Sequence, residues 1–367
     1  MPLTKIQSRG TENVGAGSSN LIINGAMNVA QRGTSFTGVS SSAYQLDRFK
    51  TALGDTSARF TITQASSGLN GFPYSLKYDC TTAEASLGNG NARVFLHQRL
   101  EGQNLQQLKK GTSDAKSLTL SFYVKSNKTG TYICELKDID NTRQISKAYT
   151  ISSANTWEQK SITFEGDTTG AFDNDNAESL RVLWHLLAGT SYNPTSGGTL
   201  NTSWASNTDA NRAVGNVNIG DSTDNTWEIT GVQLEVGSQA SDFQHEDVGT
   251  TLAKCFRYFY AVVPKGENIG YFASAWNYSS STMVSILDHK VEMRSGPTVE
   301  TNDGTNDFRF YRAGNADDFD DLSLSSPSST KSTAFYNSTD ISGTAGDAGA
   351  LYINDTTNAF FYLKAEL

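Results

Sequence analysis

Polar and apolar residues alternate with a period of two along much of this chain. In Tyr74–Cys80, Tyr74, Leu76, Tyr78 and Cys80 fall on one side and Ser75, Lys77 and Asp79 on the other. Leu118, Leu120, Phe122 and Val124 oppose Thr119, Ser121 and Tyr123, and Tyr132, Cys134 and Leu136 repeat the pattern, as do Val232, Leu234 and Val236. Such segments predict half-buried strands of antiparallel sheets with one face on a core. The turn-rich stretches between them predict a sandwich or jelly roll. Beyond the aromatic run Cys255–Tyr260, a second set of strands is predicted, including Met283–Leu287, Phe308–Tyr311 and Ala359–Leu363.

Helical signals are few. Glu101–Lys110 places Leu105 and Leu108 three apart, with Lys109 and Lys110 in the last turn and Gly111 as a C-terminal stop, which predicts a short helix. A second is predicted at Asp247–Lys254. Ala188–Asp209, rich in Gly, Ser, Thr and Asn, reads as an exposed excursion. The tetrapeptide Asn155-Thr156-Trp157-Glu158 recurs as Asn225-Thr226-Trp227-Glu228, each copy starting a strand with a Trp suited to lid a sandwich core. The predicted fold class is therefore all-β. Residues 1–19 form an extended N-terminal arm, 20–247 a jelly-roll sandwich and 248–367 a smaller C-terminal β domain.

Composition narrows the function classes. Net charge is −9, and the densest basic spots are pairs such as Lys109-Lys110, so no nucleic-acid partner is expected. No stretch approaches the ~20 apolar residues of a membrane-spanning helix, and residues 1–19 lack the apolar core of a signal peptide; membrane insertion is not expected. Cys80, Cys134 and Cys255 are far apart and odd in number, which predicts buried free thiols and folding in a reducing cytosol.

Candidate chemistry is sparse. His97, His185, His245 and His289 lie in no metal-binding spacing, and no Gly-x-Ser-x-Gly elbow occurs. Nor is there the repeat of a parallel β-helix depolymerase, so no enzymatic activity and no cofactor are expected. Asp167, Asp173, Asp175 and Glu178 lie within one loop; that oxygen density suits a structural Ca²⁺, although EF-hand spacing is absent and a solvated acidic loop is the simpler reading. Asp317, Asp318, Asp320 and Asp321 form a second acidic cluster. Sugar binding needs aromatic faces flanked by polar groups. Tyr123, Trp184 and His185 are the jelly-roll candidates; in Leu180–Leu187, Leu180, Val182, Trp184 and Leu186 share a core-facing side, leaving Arg181 and His185 on the opposite face with Leu183 and Leu187, a mixed face expected to line a groove. In the C-terminal domain, Tyr271, Trp276 and Tyr278 lie in Gly/Ser-rich sequence, as expected for recognition loops.

Several segments, taken in order, resemble a known group. These are Asn20-Leu21-Ile22-Ile23-Asn24-Gly25-Ala26-Met27, Gln31-Arg32-Gly33, Tyr44-Gln45-Leu46-Asp47-Arg48-Phe49 and Leu118–Ser126. Further on come Ile229-Thr230-Gly231-Val232-Gln233-Leu234-Glu235-Val236-Gly237, Phe243-Gln244-His245, Cys255-Phe256-Arg257-Tyr258-Phe259, Met293–Thr298 and Ala365-Glu366-Leu367. Together they resemble phage tail proteins with a carbohydrate-binding-module-like jelly roll. The resemblance implies a virion structural protein, a tail fibre or spike mediating attachment to a host-surface glycan or receptor, assembled in the host bacterial cytoplasm. It implies a homotrimer, with other virion proteins as partners of the arm. The alternatives are a capsid fibre or decoration protein and a tail-associated glycan hydrolase. Within these motifs, Ile22–Ala26 and Tyr44–Phe49 read as structural, with Asp47-Arg48 as an ion pair at a strand start. Apolar residues on both faces of Cys255–Val263 point to burial beyond one sandwich core, as a trimer would supply.

Overall fold

The computed structural model describes residues 20–302, 304–312, 314–325 and 328–367; the expected arm 1–19 lies outside them. The architecture is all-β. The strands of the N-terminal unit are β1 (Ser35–Val39), β2 (Ala43–Tyr44), β3 (Lys50–Gly54), β4 (Arg59–Leu69), β5 (Phe72–Thr82), β6 (Arg93–Glu101), β7 (Leu118–Ser126), β8 (Gly130–Asp138), β9 (Arg143–Ile151), β10 (Glu158–Phe164), β11 (Glu178–Ala188), β12 (Ala205–Ser206) and β13 (Thr226–Val236). They form two antiparallel sheets, ordered β1-β4-β5-β13-β7-β10 and β12-β9-β8-β11-β6-β3-β2. The period-two residues of β5, β7, β8, β11 and β13 meet between these sheets in one hydrophobic cluster that includes Tyr78, Phe122, Trp184 and Trp227.

The opening motif stitches the sandwich. Asn20 Nδ2 donates to Val232 O (3.0 Å) while its Oδ1 accepts from Leu234 N (3.0 Å). Ile23 exchanges two hydrogen bonds with the Gln98 side chain on the other sheet. Gly25 is required here, because a Cβ would lie 2.0 Å from Val232 O. Gly231, at φ +60°, forms the bulge of β13, where a side chain would collide with Phe72 and Tyr123.

The C-terminal unit begins with α1 (Val248–Phe256), capped by the Asp247 side chain accepting from Thr250 N; it runs two residues beyond the predicted helix. Then come β14 (Phe259–Val263), β15 (Tyr271–Ser279), β16 (Thr282–Asp288), β17 (Thr298–Thr301), β18 (Phe308–Arg312), β19 (Asn315–Phe319), β20 (Ser323–Ser325), β21 (Ser332–Asn337), β22 (Ala348–Ile353) and β23 (Phe361–Lys364). A three-stranded sheet, β14-β23-β17, and a seven-stranded one, β19-β18-β22-β15-β16-β21-β20, enclose a second core around Met283, Phe308, Phe335 and Phe361.

Several expectations are corrected. Glu101–Lys110 is not an α-helix but the end of β6 followed by two 3₁₀ turns, Gly102–Asn104 and Gln106–Leu108. No side chain caps the segment, and Gly102 packs so tightly that a Cβ would lie 2.0 Å from Asp173 O. The two Trp echoes are not equivalent: Trp227 is fully buried in the core, whereas Trp157 is half-buried and donates to Ser67 O (2.9 Å). Asp47 and Arg48 do not pair. Asp47 accepts from Gln31 N (2.8 Å) and Nε2 (2.5 Å), while buried Arg48 reaches Glu366 Oε2 (2.6 Å) and Arg99 O (2.6 Å). The second apolar face of Cys255–Val263 is consumed within the chain. Tyr258 lies under the Arg48 guanidinium (3.4 Å) and hydrogen-bonds Glu101; Phe259 lies under Arg32 (3.4 Å). All three cysteines are buried and unpaired.

Candidate functional site

On the jelly roll, β11 alternates as its sequence dictates: Leu180, Val182, Trp184 and Leu186 enter the core. Arg181 and His185 therefore share the outer side, but they line no open groove. His185 is buried, with Nε2 2.8 Å from Glu135 Oε2; Arg212 Nε approaches the other oxygen at 2.9 Å. Burial pushes the Glu135 carboxyl up, yet Arg212 and His185 outweigh it and hold the group at about 2. Burial lowers His185, an effect its bond to Glu135 offsets only in part. Arg212 lies just beyond Ala188–Asp209, the stretch expected to be an exposed excursion. That stretch instead lies back on the sheet, where Ser146 N donates to Asn201 O (2.6 Å) and Gln144 Nε2 to Thr208 O (3.1 Å), and the residues after it continue the cover, with Ile133 N donating to Asn216 Oδ1 (3.0 Å). Polar loop residues complete bonds for a polar sheet face, so a hydrophilic sequence makes a roof. Arg181 stays at the open margin, held by Glu178 (2.6 and 2.8 Å). Near it, His97 is buried, and among the described residues neither ring nitrogen has a hydrogen-bond partner. Burial first, then Arg181, Arg99 and Lys50, holds it well below the usual histidine range. Tyr123 lies on the other sheet, tilted against Phe72.

The carboxylates proposed for Ca²⁺ diverge. Asp167 receives Arg143 (2.7 Å) and Lys110 (3.1 Å). Glu178 turns to Arg181 and Arg99. Asp175 Oδ1 accepts from Ala177 N (2.9 Å) within its own turn, and Asp173 N donates to Asp140. Lys110, itself buried, sits between Asp138 (2.6 Å) and Asp167, so a side-chain ammonium supplies the positive charge there. In the second acidic cluster, Asp318 pairs with Arg309 and Asp317 with Arg312. Among the described residues, no three His, Cys, Asp or Glu groups converge as a metal site.

The C-terminal aromatics are on a strand, not on loops. β15 pairs with β16 and β22, and Ala275 enters the core. Trp276 is on the opposite, outer face beside Val284 and Ala348. By parity Tyr271 would fall on the core side with Ala275. A bulge between Tyr271 and Ala273 inserts Phe272 into the core and returns Tyr271 to the outer face, edge-on to Tyr352 (5.3 Å). Tyr271 is 64% exposed and Tyr278 72%. Tyr311 of β18 and Ile286 of β16, which the sequence reading missed, are exposed on the same face. Their outward direction follows from alternation against buried Phe310, Arg312 and Ser285. The outcome is an open sheet face with aromatic rings, half-buried Trp276 and Tyr336, and the Arg309–Asp318 pair at its margin.

The two units meet along a charged seam. Arg48 and Arg32 both reach Glu366 (2.6 and 3.1 Å), Tyr44 Oη donates to Leu367 O (2.9 Å), and Arg257 pairs with Glu101 (2.7 Å). Beside this seam opens a cleft of about 760 Å³ lined from both units.

No family model matches the chain, and no curated protein matches it. Among solved structures, it is similar to the enzymatically active domain of tailspike protein 4 of bacteriophage CBA120, at 13% identity and a TM-score of 0.28; the match covers 59% of this chain and 21% of that one. It is similar to a family 4 carbohydrate-binding module, with 10% identity, a TM-score of 0.29, and 58% and 97% coverage. A third similarity is to the family 11 carbohydrate-binding module of Clostridium thermocellum in complex with a mixed-linked tetrasaccharide: 11% identity, TM-score 0.26, and 58% and 99% coverage.

Proposed function

We propose that this chain is a phage virion structural protein, a tail fibre or spike component, that attaches to a host-surface glycan through the outer face of its C-terminal seven-stranded sheet. The observation that carries this reading is the exposure of Tyr271, Tyr278, Tyr311 and Ile286 around half-buried Trp276. Sugar rings present apolar C–H faces that stack on aromatic rings, and rigid aromatics dominate such contacts. A solitary protein has no structural need to leave this many large apolar groups on one face. The sequence resemblance to phage tail proteins supports the virion setting. In this reading the protein is a non-enzymatic homotrimer, held to other virion proteins by residues 1–19.

The test is a bacterial-polysaccharide array probed with the labelled full-length protein. Binding to a subset of glycans is expected, weakened in Trp276→Ala and Tyr271→Ala while the melting temperature holds. Unchanged binding by both variants would overturn the assignment. Light scattering should report a trimer, and reducing-sugar release from any bound glycan would favour the hydrolase alternative.

A further inference from the structure

The cleft between the two units carries an excess of positive charge. Its lining includes five cations, Arg32, Lys50, Lys265, Arg294 and Lys364, against the carboxylates of Glu300 and Glu366. Lys364 is neutralised by Glu300 (2.8 Å), and Arg32 shares Glu366 with Arg48. Arg294 spends its fork on the neutral carbonyls of Ala365 (2.7 Å) and Glu366 (3.0 Å). Lys50 and Lys265 make no ion pair among the described residues. In addition, Arg32 Nη1 is buried with no hydrogen-bond partner among the described residues. Like charges crowd this place: burial first, then Arg99 and Arg181, depresses the Lys50 ammonium.

The two walls share one pairing. On the jelly-roll wall the Lys50 ammonium lies 5.2 Å from the Tyr44 ring centre; on the opposite wall the Lys265 ammonium lies 6.0 Å from that of Phe360. Each wall thus carries an ammonium without an ion-pair partner over an aromatic ring; Arg32 also lies over Tyr44 (5.2 Å), and Phe360 stacks on Tyr362 (4.5 Å). The volume is within the ~300–1,000 Å³ range of small-ligand sites, which favour domain junctions.

We propose that this inter-unit cleft is a second saccharide site, distinct from the aromatic sheet face, and that it takes a carboxylate-bearing oligosaccharide of the uronate type. The sugar's carboxylate meets Lys50 or Lys265, a charge-assisted contact stronger than a neutral one, while its apolar C–H patches rest against the ring edges of Tyr44 or Phe360. A nucleic acid would also pair rings with cations. The acidic chain, at net charge −9 and without a basic run, opposes the phosphate tracking that such binding requires.

Calorimetry on the full chain tests this with trigalacturonate, its neutral counterpart galactotriose, and a short oligothymidylate. Trigalacturonate should bind about tenfold or more tighter than either of the others, since each ionic hydrogen bond is worth about a tenfold factor. The combined variant Lys50→Gln, Lys265→Gln should lose about tenfold or more of that affinity with its melting temperature unchanged. Trp276→Ala should leave it intact, which separates this site from the sheet face. Equal affinity for the two trisaccharides, absence of trigalacturonate binding, tighter oligothymidylate binding, or loss in Trp276→Ala but not in the lysine variant would each overturn the proposal.

Discussion

Two seven-stranded sheets in this chain each lay one face on a core, and they treat the other face in opposite ways. On the jelly-roll sheet, the outer face carries Glu135, His185, Gln144 and Ser146, all buried. A long polar loop covers it and Arg212 locks the cover to Glu135. On the C-terminal sheet the outer face carries Tyr271, Tyr278, Ile286 and Tyr311, all exposed. Burying charged groups demands that their partners be present, and Glu135, His185 and Arg212 find them in one another, so the first surface is committed to stability. An apolar surface in water makes no such demand and remains free for a ligand.

The largest test of this contrast is electrostatic. Glu135→Ala strips the covered face of the buried carboxylate that both Arg212 and His185 contact, leaving Arg212 only its partly exposed pair with Asp209, and should cost about 3–5 kcal/mol in urea unfolding. Arg309→Ala breaks the partly exposed pair with Asp318 on the bare face and should cost no more than about 1 kcal/mol. Similar losses at both sites would erase the distinction.

Acid should single out the covered face next. His97 and His185 are both held below their ordinary value of 6.5 when folded. Above about 6.5 both states are neutral and stability is full. As pH falls below it, only the unfolded chain takes up protons at these sites, and stability declines. His97→Leu removes no hydrogen bond and should recover up to about 2 kcal/mol of the loss at pH 5. A pH profile identical to that of the parent would show that His97 titrates freely.

Smaller effects belong to the bare face. Trp276→Ala should lower affinity for an array-identified glycan about tenfold, equivalent to about 1.4 kcal/mol. Tyr278→Ala, at a position 72% exposed, should change stability by no more than about 0.5 kcal/mol. A melting temperature lowered by several degrees in Tyr278→Ala would mean that this ring is packed against something.

The legible part of the fold is the part written in period two. Leu118–Val124 and Leu180–Leu186 announce the jelly-roll core because alternation is local. What failed to show depends on distant partners or on added residues. Arg48 and Glu366 are 318 positions apart, so Asp47 next door looked the better mate. Lys110 serves as an internal counter-ion only because the chain returns Asp138 and Asp167 to it. Trp276 and Tyr278 could be singled out as rings in polar sequence. Their strand and the return of Tyr271 to their side hinge on one inserted residue, which composition does not reveal. The cleft cations Lys50 and Lys265 sit in unremarkable sequence, and only the docking of the two units brings them to one place.

The Arg48–Glu366 contact also sets a timetable. A ribosome adding about 5–20 residues per second exposes Arg48 tens of seconds before Glu366 exists. During that interval β13, the strand between β5 and β7, has already emerged, so the first sandwich can close. Its arginine must stay hydrated, because burying it without Glu366 would strand a charge. Docking of the second unit is therefore postponed until residue 366 arrives. The nascent chain waits as a finished sandwich beside an undocked neighbour, and the Glu366 carboxylate acts as the latch that ends the wait.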